Sequence, residues 1–336
     1  MSRFAGGQLT GRFSWPAGLV DAARRYTREM TTENLKSLEN ARMKAAREIA
    51  ELQSGLGLSF VTDGGVGFLD AFTPYAGGAE GAGSSGNIDK YPGTRNSYFH
   101  TPVVQRALRG GSAIGEHGYA GQIGKGRRKA ILPSPAALAL ASENSYYSDL
   151  EDLLMAYARV LKSDVGRLAS EGYEMIQLDE GFLLHSGYSK LVRKRLISTF
   201  LDAIELIFHG FRKRSLVYLH SGDASLILPR IAKAPVTDVG FDFNTPPGAT
   251  LARIDKNVVL GLQNTTRKLP EEWLAKEPAT LVSRVFDYSK RLRLDKNREV
   301  FLSPSQDYDG LQTYSQAKAR LENLAKATTA IGGRWE

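Results

Sequence analysis

At 336 residues with 42% hydrophobic residues, the chain is long enough to bury one substantial core, and no composition shift marks a boundary between domains. Cysteine is absent, which excludes disulfides, thiolate metal sites and a cysteine nucleophile; no window reads as a membrane span or secretory leader, so the expected address is the cytoplasm, with no membrane partner. The net charge of +8 is spread over short clusters (Lys125 to Lys129, Lys190 to Arg195, Lys290 to Arg298) without an RNA-binding aromatic motif or a helix-turn-helix, which predicts solvated helix faces and no nucleic-acid partner, with one cluster open to an anionic small ligand.

The first predicted strand, Leu9 to Ser14, ends before Trp15-Pro16. Residues 33 to 56 follow as a helix, with Leu35, Leu38, Ala41, Ala45, Ile49 and Leu52 at spacings of three and four. A second strand, Leu58 to Asp63, ends at Gly64-Gly65. The glycine-rich segment 70–128 is expected to be an insertion that acts as a lid over the C-terminal face, with a surface excursion or subunit contact as the alternative. Its run from Gly77 to Gly86 reads as a mobile linker and not as a phosphate loop, because no strand-to-helix turn contains it, whereas Tyr91-Pro92 and Asn96 to His100 supply aromatics and a histidine.

Beyond the insertion, strand and helix alternate. Lys129 to Leu132 ends at Pro133-Ser134-Pro135, a helix covers 149–172, and Tyr173 to Glu180 is an apolar strand that closes on two adjacent carboxylates. After a helix at 191–209, Ser215 to His220 ends at Ser221-Gly222-Asp223, and Thr237 to Asp242 ends at Phe243-Asn244. Asn257 to Leu262 ends at Gln263-Asn264-Thr265, a helix spans 270–294, Glu299 to Ser303 ends at Pro304, and a last helix covers 315–331. These eight strands predict a (β/α)8 TIM barrel in one domain, residues 1–336, with the long insertion after strand 2. An open doubly wound sheet is the alternative; its dinucleotide version is unsupported, since no Gly-x-Gly-x-x-Gly turn follows a strand.

In parallel α/β folds, ligands are met where strands end. Asp179, Glu180 and His220 are therefore the candidate catalytic groups, able to act as general acid and base, and Ser14, Asp63, Gln177, Asp242 and Asn264 are the candidate substrate-binding residues. The bland alternative makes the carboxylates helix or turn caps and His220 a hydrogen-bonded barrel residue.

Thr62-Asp63-Gly64, Pro133-Ser134-Pro135 with Leu138, Ile176-Gln-Leu-Asp-Glu180, Leu219-His220, Phe241-Asp242, and Pro304 with Gly310-Leu311, taken in order, resemble the barrel of cobalamin-independent methionine synthases and their single-domain relatives. The segment Ala317 to Lys326 resembles that family's closing helix. The resemblance implies methyl transfer to the thiol of homocysteine, from a folate or from a methyl-corrinoid protein, at a zinc held by one His, two Cys and one Glu. The family's His falls on His220 and its Glu on Asp242, but its cysteines fall on Gly222 and near Gln306; its Asp that receives the homocysteine ammonium falls on Asp179. Thiolate zinc is thus not expected. A weak, exchangeable divalent metal on His220 and Asp242, with Asp223 and Asp307 as further oxygen donors, remains conceivable.

Three functions stay open: a diverged methyltransferase-family enzyme, a barrel that presents polyglutamylated folate to a separate catalytic barrel, and an unrelated TIM-barrel lyase or hydrolase using Asp179, Glu180 and His220. In the presenting case Arg127 and Arg128 would meet the anionic folate.

Overall fold

The computed structural model describes residues 2–92, 97–109, 113–114, 126–185, 189–244, 254–265, 269–291, 297–308 and 313–335. In chain order the elements are β1 (Arg3–Gly7), α1 (Ala17–Arg28), α2 (Thr32–Gly55), α3 (Thr73–Gly77), β2 (Ala82–Lys90), β3 (Tyr98–Val104), β4 (Lys129–Pro133), α4 (Pro135–Ala141) and β5 (Glu143–Asn144). There follow α5 (Leu150–Ser170), β6 (Met175–Glu180), α6 (Lys190–Phe208), β7 (Arg214–Leu219), α7 (Leu228–Ile231), β8 (Asp238–Asp242), β9 (Asn257–Gln263), α8 (Glu271–Arg291), β10 (Glu299–Pro304) and α9 (Tyr314–Gly332).

Seven strands form one parallel sheet in the order β1-β10-β9-β8-β7-β6-β4. The predicted second strand is reduced to a bridge between Val61 and Arg128, yet it meets both edges of the sheet: Ser59 N donates to Gly7 O at 2.8 Å, and Val61 exchanges bonds of 2.9 Å with Arg127 O and Lys129 N. The first strand is Arg3–Gly7, not Leu9 to Ser14. Leu9 and Phe13 are buried, so their apolar character reports a packed loop, tied down by Thr10 Oγ1 to Pro304 O at 2.9 Å and Phe13 N to Gly64 O at 3.0 Å.

Helix starts follow capping chemistry. Thr31, Ser134, Asp149, Ser189 and Thr313 each accept a first-turn backbone N–H, and Thr313 with Gln316 completes a reciprocal capping box before α9. Helices predicted from periodicity therefore lie within three residues of their observed bounds.

The glycine run Gly77 to Gly86, expected as a linker, instead ends α3 and enters β2, which pairs antiparallel with β3. Two of its glycines serve close backbone approach: a Cβ on Gly78 would lie 2.3 Å from Ala113 O, and Gly81 has a left-handed φ of 97° with Ala107 O 2.3 Å from its would-be Cβ. Phe72 and Phe99 from this segment pack on Phe182, just beyond β6, at ring separations of 5.7 and 5.6 Å.

Strand alternation divides the sheet into two faces. Ile176, Leu178, Val217, Leu219, Val239 and Leu260 join the main core with helix residues such as Leu153 and Leu321, while Met175, Leu216, Tyr218, Val259 and Phe301 form a separate cluster with Phe60. Tyr218 fills this second face, and its hydroxyl donates to Pro304 O and Ser305 O at 3.0 and 2.9 Å. A Cβ on Gly240 would lie 2.3 Å from the Tyr218 ring, and one on Gly261 2.0 Å from its hydroxyl, which explains glycine in the middle of both strands. Tyr218→Phe is expected to cost about 1–2 kcal/mol in urea unfolding, since it strands buried carbonyl acceptors; an unchanged midpoint would show the hydroxyl is dispensable. Among the described residues, no helix is long and apolar enough to cross a membrane.

Candidate functional site

The alternation that puts Tyr218 on the second face also brings Asp179, His220 and Asp242 there, at the C-terminal ends of β6, β7 and β8. His220 Nε2 lies 3.0 Å from Asp179 Oδ2, and its Nδ1 lies 2.8 Å from Ser221 Oγ. Ser221 itself is held in the left-handed region at φ 64°, an uncommon state for a non-glycine residue that turns its hydroxyl back to the ring. Gln177 Nε2 donates to Asp179 Oδ1 at 3.2 Å and to Thr10 O at 2.7 Å. Gln306 Nε2 reaches both Ser221 Oγ, at 3.5 Å, and Asp242 Oδ2, at 3.4 Å; the other Asp242 oxygen accepts Asn244 N at 2.8 Å. Tyr91 stacks on His220 with centroids 5.7 Å apart and planes 17° apart, and its hydroxyl bonds Asp179. Gly181 permits that stack, because a Cβ there would lie 2.4 Å from His220 Cε1.

Burial works against a charged imidazole, but Asp179, with Asp307 and Asp242 behind it, outweighs burial and pushes His220 up to about 9. At neutral pH the ring is an imidazolium with both nitrogens engaged. That makes it a clamp on Asp179 rather than a general base. Burial, with Asp179, Glu180 and Asp307, drives the Tyr91 phenol well above its ordinary value, so it stays protonated and donates.

Asp179 forms one wall of a cavity of about 110 Å³. Its other charged walls are Asp63, Asp70, Asp307 and Arg12; Thr62 and Ser97 add hydroxyl-bearing residues, and six aromatic residues share the rest with small and aliphatic ones. Arg12 is held by Gly65 O at 3.3 Å and Phe68 O at 3.1 Å, and its backbone N–H donates to Asp307 Oδ1 at 2.7 Å. Asp63 accepts Gly65 N at 2.9 Å, and burial raises its carboxyl despite Gly65 and Arg12. Asp70 caps Phe72 N and Thr73 N, at 2.8 and 2.9 Å, and binds His100 Nδ1 at 2.6 Å.

The predicted site residues thus separate. Asp63 and Asp179 line the cavity; His220, Gln177 and Asp242 stand behind it as a hydrogen-bonded support. Glu180, taken as catalytic, faces away from the cavity: it accepts Phe182 N at 2.7 Å, Leu183 N at 2.6 Å and the Ser134 hydroxyl, so it holds the loop after β6. Burial raises its carboxyl, with those three donors opposing. Ser14 Oγ donates to Tyr308 O at 2.8 Å, and the Asn264 carbonyl accepts Arg320, which gives both a bond to the scaffold. Arg127 and Arg128 lie before β4, at the opposite end of the sheet from the cavity, bonded to Glu174 Oε2 at 2.9 Å and Glu171 O at 3.1 Å. Arg12 and Tyr91 were missed by the sequence reading; Tyr91 was noticed only as one aromatic of the insertion.

These residues do not fit a thiolate zinc centre. At the position of the family's first cysteine, a Cβ on Gly222 would lie 2.2 Å from Leu184 O. Position 306 carries an amide that donates to Asp242, and no nitrogen of His220 is open to a metal without losing its proton. Asp223 is exposed and bonded to Ser225 N at 2.9 Å, and among the described residues no group of three or more His, Cys, Asp or Glu side chains is placed to hold a metal ion. Gly222→Cys is expected to destabilise the protein by about 1–3 kcal/mol, and the Gly222→Cys/Gln306→Cys pair to acquire no chelator-resistant zinc; stoichiometric zinc after dialysis of the pair would refute that fit.

No protein-family model matches the chain. Curated methionine synthases of Saccharolobus islandicus and Saccharolobus solfataricus are 24% identical to it over 165 residues, and that of Sulfurisphaera tokodaii 23% over 150. The matched region covers 48% of this chain and 47% of the Saccharolobus proteins, about half the length of each. A B12-independent methionine synthase from Shewanella sp. W3-18-1, solved in complex with selenomethionine, superposes with a TM-score of 0.78 at 15% identity, over 98% of both chains. One from Listeria monocytogenes, described as putative, gives 0.73 at 15% over 100% and 99%, and a methyltransferase from Methanosarcina mazei gives 0.59 at 12% over 97% and 94%. The curated proteins that the sequence matches and two of the three structures that superpose on it are methionine synthases, to which this chain is similar in sequence over about half its length and in fold over nearly all of it.

Proposed function

We propose that this chain, a single-barrel relative of the cobalamin-independent methionine synthases, binds a small amino acid of the methionine or homocysteine type and serves methyl transfer to its sulfur with chemistry that has diverged from a thiolate zinc centre. The observation that carries the reading is Asp179 on the cavity wall, fixed by His220 at 3.0 Å and Gln177 at 3.2 Å. A carboxylate held this way is a ready partner for an α-ammonium group. His220 is its positioning residue, Tyr91 seals the pair from above, and the aromatic walls take the apolar end of the side chain. That a superposable relative was solved with selenomethionine supports this class of ligand.

In this reading the segment Ser59 to Val61 closes the seven-stranded sheet into an eight-stranded barrel, and residues 70–128 cover its C-terminal face. The folate-presenting alternative is disfavoured by the four carboxylates around one guanidinium in the cavity and by the position of Arg127 and Arg128. Calorimetric titration with L-methionine and L-homocysteine tests the proposal. Saturable binding of either, with the D-enantiomers at least tenfold weaker, is expected; no binding of either at millimolar concentration would end it.

A further inference from the structure

Lys129 brings an amine into the interior of the sheet, where it is 1% exposed and lines no part of the cavity. It opens β4 beside Met175, on the strand face that also carries Gln177 and Asp179, and Pro133 at the other end of β4 stands in register with Asp179. Its Nζ donates to Gln8 Oε1 at 2.8 Å and to Leu9 O at 2.6 Å. The next carbonyl of that loop, Thr10 O, accepts Gln177 Nε2 at 2.7 Å, and the same nitrogen reaches Asp179 Oδ1 at 3.2 Å. Gly11 and Arg12 continue the loop into the cavity wall. Lys129 and Gln177 therefore hold consecutive carbonyls, and Gln177 orients the carboxylate of the site.

Both partners of Lys129 are neutral. The charged groups that face it are Asp179 from β6, Arg214 from β7 and Asp238 from β8, and Arg214 is itself bonded to Asp238 and Glu299. Burial works against the ammonium while Asp238 and Asp179 favour it, which leaves Lys129 at about 7. As an amine it keeps two N–H groups, enough for the two bonds it makes, so the loop stays held in either state. A second cation brought to Asp179 adds a like charge to the same poorly screened interior.

We propose that Lys129 is a positioning residue of the amino-acid site: it fixes the loop from which Gln177 orients Asp179, and it yields its proton to solvent when a ligand ammonium docks on that carboxylate. The inference rests on the amino-acid reading above and adds a proton linkage to it.

Calorimetric titration with L-methionine is expected to show affinity rising about threefold from pH 6 to pH 8 in the unmodified protein and staying level in Lys129→Met, whose side chain is uncharged and of similar length. His100, bonded to Asp70 in the cavity wall, is common to both proteins and cancels in the comparison. At pH 8 the variant is expected to bind about fivefold more weakly, because the loop has lost its two bonds. A merely structural role would lower affinity equally at both pH values. NMR of the lysine 13Cε signals in the unmodified protein does not depend on the variant folding: the resonance that titrates near 7 is expected to move to lower pH when methionine saturates the site. Methionine affinity that is the same at both pH values, an equal rise in Lys129→Met, equal affinity of the two proteins at pH 8, or a lysine midpoint that methionine leaves in place would overturn the inference alone. No binding of methionine or homocysteine at either pH would defeat the amino-acid reading, and the inference with it.

Discussion

Asp179→Asn is expected to lower affinity for L-methionine about ten- to a hundredfold and to return His220 from about 9 toward its ordinary value. The carboxylate has two tasks that the isosteric amide cannot share. It offers a full negative charge to the ligand ammonium, a charge-assisted contact of roughly 1.5–3 kcal/mol, and it is the leading cause that keeps a buried imidazole protonated. Calorimetry reads the first and NMR titration of the imidazole the second. Unchanged methionine affinity would remove Asp179 from the site. An unchanged His220 titration would mean that Asp242 and Asp307 suffice to hold the charge.

The second large effect is on stability against pH. The folded pKa of His220, about 9, is above its unfolded value near 6.5, so its contribution is fully present below pH 6.5 and is lost as pH rises through 9. The gap corresponds to roughly 3 kcal/mol. Lys129 runs the other way: burial lowers it to about 7 while its Nζ donates to Gln8 Oε1 at 2.8 Å and Leu9 O at 2.6 Å. The unfolded chain therefore binds a proton that the folded one does not between pH 7 and 10.5, and stability gains there. The clean measurement is the difference in unfolding free energy between the protein and His220→Gln at each pH. That difference is expected to shrink by about 3 kcal/mol from pH 6 to pH 9.5; a difference independent of pH would show that folding leaves the pKa of His220 unshifted.

Much of the architecture was legible because two periods carry it. Apolar strands of five to seven residues with polar ends marked β4 and β6 to β10, and helical spacing marked α2, α5, α6, α8 and α9. What misled was burial without pairing. Leu9 and Phe13 are as apolar as strand residues but sit in a loop, and the run from Gly77 to Gly86 looked like a linker although backbone contacts demand glycine at Gly78 and Gly81. At the site, strand parity was the unused signal. Asp179 and Glu180 are adjacent, so one must face the cavity and the other the helices, and the parity of Met175, Gln177 and Asp179 against Ile176, Leu178 and Glu180 already says which. Tyr91 and Arg12 reach the site from distant loops, and no local pattern announces such a contact.

The most direct test of the amino-acid site is a crystal structure of the protein with L-methionine bound. The account predicts its α-ammonium within hydrogen-bond distance of Asp179, with the S-methyl end among Phe72, Tyr91 and Phe99. Methionine bound away from Asp179 under conditions that saturate the calorimetric titration would contradict it.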